Sequence, residues 1–241
     1  MDRMIYLSMA GAKATMQRQD VLANNLANAS TPGFRAEMTA FRAVPVLGSG
    51  AATRVYALES TPGYNAEPGA VQATGRNLDV AMKGNGWLAV QGLDGTEAYT
   101  RGGALDLNSE GLLITKTGLT VLGDGGPITI PANALVQIAP DGTISAGVGN
   151  AKPQTVGKLK LVTPEAPLQR GEDGLFRAAD GELSADPNAR VQDSALESSN
   201  VSPIETMIAM IAAARQFEQQ MKMVHSAQEK EQSAAKLLSN S

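Results

Sequence analysis

Apolar and small side chains recur at alternating steps of four and three residues at both ends of this chain. At the front the series is Ile5, Met9, Ala12, Met16, Gln19, Ala23 and Leu26. At the back it is Met207, Met210, Ala214, Phe217, Met221, Val224 and Gln228. Such a repeat is the seam of a helix that packs against another helix. The spacing therefore predicts two long terminal helices, and it predicts that both need partners. Ordering a helix costs about 1–2 kcal/mol per residue in backbone entropy, which a one-sided seam offsets only in part. The rear helix also carries a start signal in "SPIE". Ser202 is the N-cap, Pro203 the first helical residue and Glu205 the acid of a capping box.

Between the ends the pattern changes. Short apolar runs, such as "LDVAM" (78–82), "WLAVQ" (87–91), "ALDLN" (104–108), "LLIT" (112–115), "LTVL" (119–122), "ITI" (128–130), "VQIA" (136–139), "TIS" (143–145) and "KLKLV" (158–162), are strand-like. Turn signals part them: Gly84-Asn85-Gly86, Asn108 to Gly111, Asp124-Gly125-Gly126 and Asp141-Gly142. Strands so short and so closely spaced predict an antiparallel domain and not a parallel sheet with crossover helices. The fold class expected is α+β, mainly β: an antiparallel β-rich centre with long N- and C-terminal helices pairing as a coiled coil. The divisions are an N-terminal assembly helix (1–29), an extended connector (30–75), the β-domain (76–193) and a C-terminal assembly helix with its lead-in (194–241).

Two local features stand out. "STPGFRA" (30–36) and "STPGYNA" (60–66) echo one another, and Pro then Gly fit the two central positions of a type II turn in each. Three asparagines, Asn24, Asn25 and Asn28, crowd the last turns of the front helix just ahead of Pro32, Gly33 and Phe34. Asparagine is a mediocre helix residue because its amide competes for backbone bonds. Two readings account for the cluster: plain helix-end chemistry, or buried amides that penalise a wrong stagger between packed helices, as a buried polar residue does in a coiled coil.

Composition narrows the chemistry. With 24 acidic against 20 basic residues, the net charge of -4 gives no support for a nucleic-acid partner. No cysteine is present, which excludes disulfides, thiol catalysis and zinc-thiolate sites. The most apolar window, "MIAMIAAA" (207–214), is far shorter than a bilayer span, and the N-terminus lacks the apolar core of a cleaved signal peptide. His225, the lone histidine, lies beside the rear seam without a nucleophile in view. "GNG" (84–86) lacks the strand-GxGxxG-helix setting of a dinucleotide site, and "GDGG" (123–126) has one carboxylate, too few for calcium. Methionines 207, 210, 221 and 223 read as adaptable packing residues ahead of a soft-metal cluster. No catalytic, cofactor or metal site is expected, and the chain does not read as an enzyme.

The motifs that remain carry a resemblance. "LANNLANASTPGF" (22–34) is similar to the N-terminal signature of the rod and hook axial proteins of the bacterial flagellum, and "LESSNVSPIETMIAMIAAARQFEQQMKMV" (196–224) to their C-terminal one. The stretches 77–90, 99–115 and 121–131 resemble the family's middle. Within it the proximal-rod branch is most similar, with a distal rod or hook subunit as the alternative. The resemblance implies a structural subunit of the basal-body rod, exported without signal cleavage through the flagellar type III apparatus. Such a subunit polymerises in the periplasm into a hollow shaft that transmits torque and passes exported proteins. It implies as partners copies of the chain, other proximal-rod subunits, distal-rod subunits and the export apparatus. The expected assembly interface comprises Ile5, Met9, Met16, Asn24, Asn25, Leu26, Asn28, Met207, Met210, Phe217, Met221 and Val224, with Pro32, Gly33 and Phe34 as the turn.

Overall fold

Helix α1 (Asp2–Ala27) and helix α2 (Pro203–Ser239) occupy the two ends where the repeats predict them. At a rise of about 1.5 Å per residue they span about 39 and 55 Å. The computed structural model describes residues 2–45, 55–149, 152–179 and 181–239. The chain divides into two units. The helical unit comprises Met1–Ala29, Ala36–Asn65 and Val201–Ser241, and the β-unit comprises Ser30–Arg35 and Ala66–Asn200.

In the helical unit α1 and α2 pack together. They run antiparallel, with Gly11 of α1 against the side chain of Gln220. α2 begins at Pro203 as its start signal predicts, and the Ser202 carbonyl accepts both the backbone N–H and the hydroxyl of Thr206. The stretch read as a connector holds the third element of this unit. Strands β1 (Glu37–Pro45) and β2 (Val55–Tyr64) pair antiparallel, and both contact α1. The second Pro-Gly echo is here a correction: Thr61 to Tyr64 are strand, not a type II turn. Pairing with β1 takes them into the ladder, and the excess residue is absorbed as a bulge opposite Met38 to Ala40, with Gly63 at a φ of 121°. A local motif sets a turn only where no ladder competes for it.

The β-unit is antiparallel in every named strand pair, as its short runs predict. Its largest sheet runs in the order Leu161–Val162, Trp87–Gln91, Glu97–Thr100, Phe176–Arg177, Gln169–Arg170. A three-stranded sheet of Ala134–Ile138, Thr143–Val148 and Gln154–Lys158 and several two-stranded pairs complete it. The run 158–162 is split between two strands, and 128–130 makes only a bridge through Thr129. Leu88, Val90, Leu105, Leu113, Val121 and Ile144 are wholly buried in one core, each contributing about 1.5–3 kcal/mol. Gly103 is confined by that core, because a Cβ there would lie 1.7 Å from the Val80 carbonyl oxygen. Tyr99, also wholly buried, donates its hydroxyl to Glu97 at 2.9 Å and accepts the Leu183 N–H at 2.6 Å. Burial, first among several causes, pushes its phenol up to about 12. Lys160 closes the network on Glu97 at 2.7 Å.

Candidate assembly interface

The α1 side chains fall on three faces. One, at Ile5, Ser8, Ala12, Thr15, Gln19, Leu22 and Leu26, is buried or half-buried. A second, at Ala14, Gln17, Val21 and Asn25, is covered on the side of the β1–β2 hairpin. The third, at Tyr6, Met9, Lys13, Met16, Asp20 and Ala23, is exposed along its length. The seam read from the sequence straddles a boundary. Ile5, Ala12, Gln19 and Leu26 are buried or half-buried, while Met9, Met16 and Ala23 are exposed.

α2 repeats the arrangement. Thr206, Met210, Ala213, Phe217, Gln220, Val224 and Ala227 form its covered stripe, again at steps of four and three. Of the residues expected at the interface, Val224 is buried and Met210 and Phe217 are half-buried, whereas Met207 and Met221 are exposed. A second apolar patch, absent from the expected set, lies near the start of α2: Ile204, Ile208 and Ile211 beside Met207. Ile208 keeps 63% of its surface in solvent and Met16 on α1 keeps 56%. Single exposed apolar residues are ordinary, but a stripe of them marks an interaction surface. Ile5, Ala12, Gln19 and Leu26, and Met210, Phe217 and Val224, belong to both the read seams and the covered stripes, whereas Ser8, Thr15 and Ala213 escaped sequence reasoning. Small residues let helices approach closely yet carry little hydrophobic signal. The cue that could have found them is the run "AGAKAT" (10–15), rich in small residues.

The asparagines occupy distinct posts. Asn28 performs the helix-end role, donating Nδ2 to the Asn24 carbonyl and to Asn24 Oδ1, both at 3.0 Å. Asn25 is buried and bridges to the hairpin. Its Nδ2 donates to the Glu37 carbonyl at 2.9 Å, and its Oδ1 accepts the Glu37 N–H at 2.8 Å. The amide thus pairs with Glu37 as a neighbouring strand would. Asn24, exposed, donates to Glu37 Oε2 at 3.0 Å. Asn25→Ala strands both backbone groups of Glu37, a loss of about 1–3 kcal/mol. Its expected result is faster hydrogen exchange at the Glu37 amide, with Asn24→Ala much milder. Equal effects from the two would remove the special place of Asn25.

The Pro-Gly turn forms at the first echo. The Phe34 N–H donates to the Thr31 carbonyl at 3.2 Å, with Gly33 at a φ of 72°. Gly33 is buried, Pro32 and Phe34 are half-buried, and the Arg170 guanidinium lies 4.7 Å above the Phe34 ring. His225 sits exposed on α2, its Nδ1 3.3 Å from Glu229. Among the described residues no helix is long and apolar enough to cross a membrane, and no cluster of His, Cys, Asp and Glu is arranged to hold a metal.

Comparison with known proteins gives three family models along the chain. A family model described as "Flagella basal body rod protein" matches residues 5–35, which contain most of α1 and its turn. One described as "Flagellar basal body rod FlgEFG protein C-terminal" matches 192–237, the lead-in and α2. A third, "Flagellar hook protein FlgE/F/G D1 domain", matches 81–146 of the β-unit. The flagellar basal-body rod protein FlgF of Salmonella typhimurium is 50% identical over 100% of both chains. FlgF of Escherichia coli is 47% identical over 100% of both. The rod protein FlgG of Bacillus subtilis is 31% identical over 94% of this chain and 96% of its own.

Proposed function

The chain belongs to the FlgE/F/G family of flagellar basal-body rod proteins, and from that premise we propose that it is a structural subunit of the proximal rod, not an enzyme. Its full-length identity of 50% to a FlgF, against 31% to a FlgG, favours the proximal over the distal rod. The single observation that carries assembly is the exposed apolar stripe on each terminal helix. Tyr6, Met9 and Met16 on α1 and Ile204, Met207, Ile208 and Ile211 on α2 lie outside the packed seam of the helix pair. Neighbouring helices, from copies of this chain and from other proximal- and distal-rod subunits, cover these stripes and extend the pair into coiled-coil packing. The polymer forms a hollow periplasmic shaft that transmits torque and passes exported proteins. The subunit reaches it through the type III export apparatus with its N-terminus intact, since Ile5 to Leu26 serve in the packed helix.

Cryo-electron microscopy of purified basal bodies tests this reading. The expected result is density for this chain in the proximal rod, with both helices lining the inner layer. Density in the distal rod or hook would move it to another axial role, and helices facing outward would overturn the assigned interface.

A further inference from the structure

The chain crosses between its two units four times, at 29/30, 35/36, 65/66 and 200/201, so three segments of the β-unit carry the crossings: 30–35, the start of 66–200 and its end. Within the β-unit, all three crossing segments converge on one side chain. Glu197 is wholly buried, and its Oε1 takes the Arg35 guanidinium and the Gly69 N–H, the latter at 3.0 Å. Its backbone carbonyl accepts the Gly33 N–H at 2.7 Å. Its Oε2 takes the Arg101 guanidinium through both Nε and Nη2. Arg101 in turn donates to the carbonyls of Met82, Gly84 and Gly86, the approach to the strand Trp87–Gln91. The segments also bond directly to one another: Ser198 N–H to the Ala70 carbonyl, Asn200 N–H to that of Phe34, and Asn200 Nδ2 to that of Glu67.

We propose that Glu197 is the positioning residue that sets the spacing of these three crossing segments, with Arg35 and Arg101 as its charged partners. The chemistry of the group argues for position over adhesion. Two buried guanidiniums share one carboxylate, so a positive charge is left over inside the unit, and Arg35 meets Glu197 as an ion pair, its Nε and Nη1 finding no hydrogen-bond acceptor among the described residues. An apolar plug of equal volume holds segments together at least as well as a buried ion group does. What it lacks is direction. The Arg101 fork and the Gly69 N–H bond the carboxylate only along set lines, and the Gly33 N–H does the same at the Glu197 carbonyl, so this group fixes where each segment lies while Arg35 adds the second charge. The inference concerns the chain's own fold and holds whichever axial layer it joins.

The test uses the full chain and the variants Arg35→Met and Arg35→Lys. Arg35→Met removes the surplus cation and leaves the Arg101–Glu197 pair intact, so the sheet keeps its fold. The expected result is hydrogen exchange about tenfold faster at the Gly33, Gly69, Ser198 and Asn200 amides, with Ala89 and Val90 unchanged. Spin labels at Ser30→Cys and Ala66→Cys, introduced into a chain with no native cysteine, should give a narrow distance distribution that Arg35→Met broadens. Arg35→Lys, which restores the charge without the fork, should fall between. Unchanged exchange and an unchanged distribution would overturn the proposal. So would equal acceleration of the Ala89 and Val90 amides, which would make the group a general stabiliser of the unit.

Discussion

Gly33→Ala is expected to destabilise the β-unit by about 2–6 kcal/mol, combining about 1–3 for a side chain at positive φ with about 1–3 for overpacking. Both causes act at this one residue. Its φ is 72°, and a Cβ built on it would stand 2.2 Å from the Arg101 carbonyl carbon. The obstacle is backbone and cannot rotate away. Gly118→Ala supplies the comparison: its φ is 86°, but nothing lies within 4 Å of its Cβ position, so only the conformational cost applies. Urea unfolding followed by the fluorescence of the lone, buried Trp87 measures both. Equal losses at the two glycines would mean that the segment 30–35 can lift away from Arg101 without cost.

Ile208→Asp should have the opposite profile. The side chain is exposed on α2, so the isolated chain should change stability by less than about 1 kcal/mol and keep its circular dichroism. Under the proposed packing the same position is covered in the rod, where an unpaired carboxylate costs on the order of several kcal/mol. The expected result, in cells lacking the native protein, is normal export with few completed rods and little or no swimming. Normal motility would show that the α2 stripe faces solvent in the rod and would withdraw it from the interface. A melted monomer would show instead that Ile208 belongs to the fold.

These two residues also mark the limit of what the chain declares about itself. Gly33 lies in a Pro-Gly turn that was legible from four letters, and the turn formed. The same letters at Thr61 to Gly63 became strand, because β1 lay alongside and its ladder outweighed local preference. The strand Trp87–Gln91 was legible to its ends, since five residues between glycine-rich turns leave little alternative. The hairpin β1–β2 was not, because its strands are stabilised by pairing with each other and by α1, neither of which leaves a periodic trace.

The sequence by itself determined that both ends are helical and that the centre is antiparallel β. Periodicity and turn chemistry are local, and the chain obeys them wherever nothing stronger competes. Only the tertiary structure decided which seam residues face in. Ile5 and Met9 fit one heptad equally well, yet Ile5 is half-buried and Met9 stays exposed. Only the tertiary structure gave Asn25 to Glu37, and set Glu197 between Arg35 and Arg101 across 162 and 96 residues of chain. A repeat records the direction in which a side chain points along its own helix. What comes to meet that side chain arrives from elsewhere in the chain, and the repeat holds no record of it.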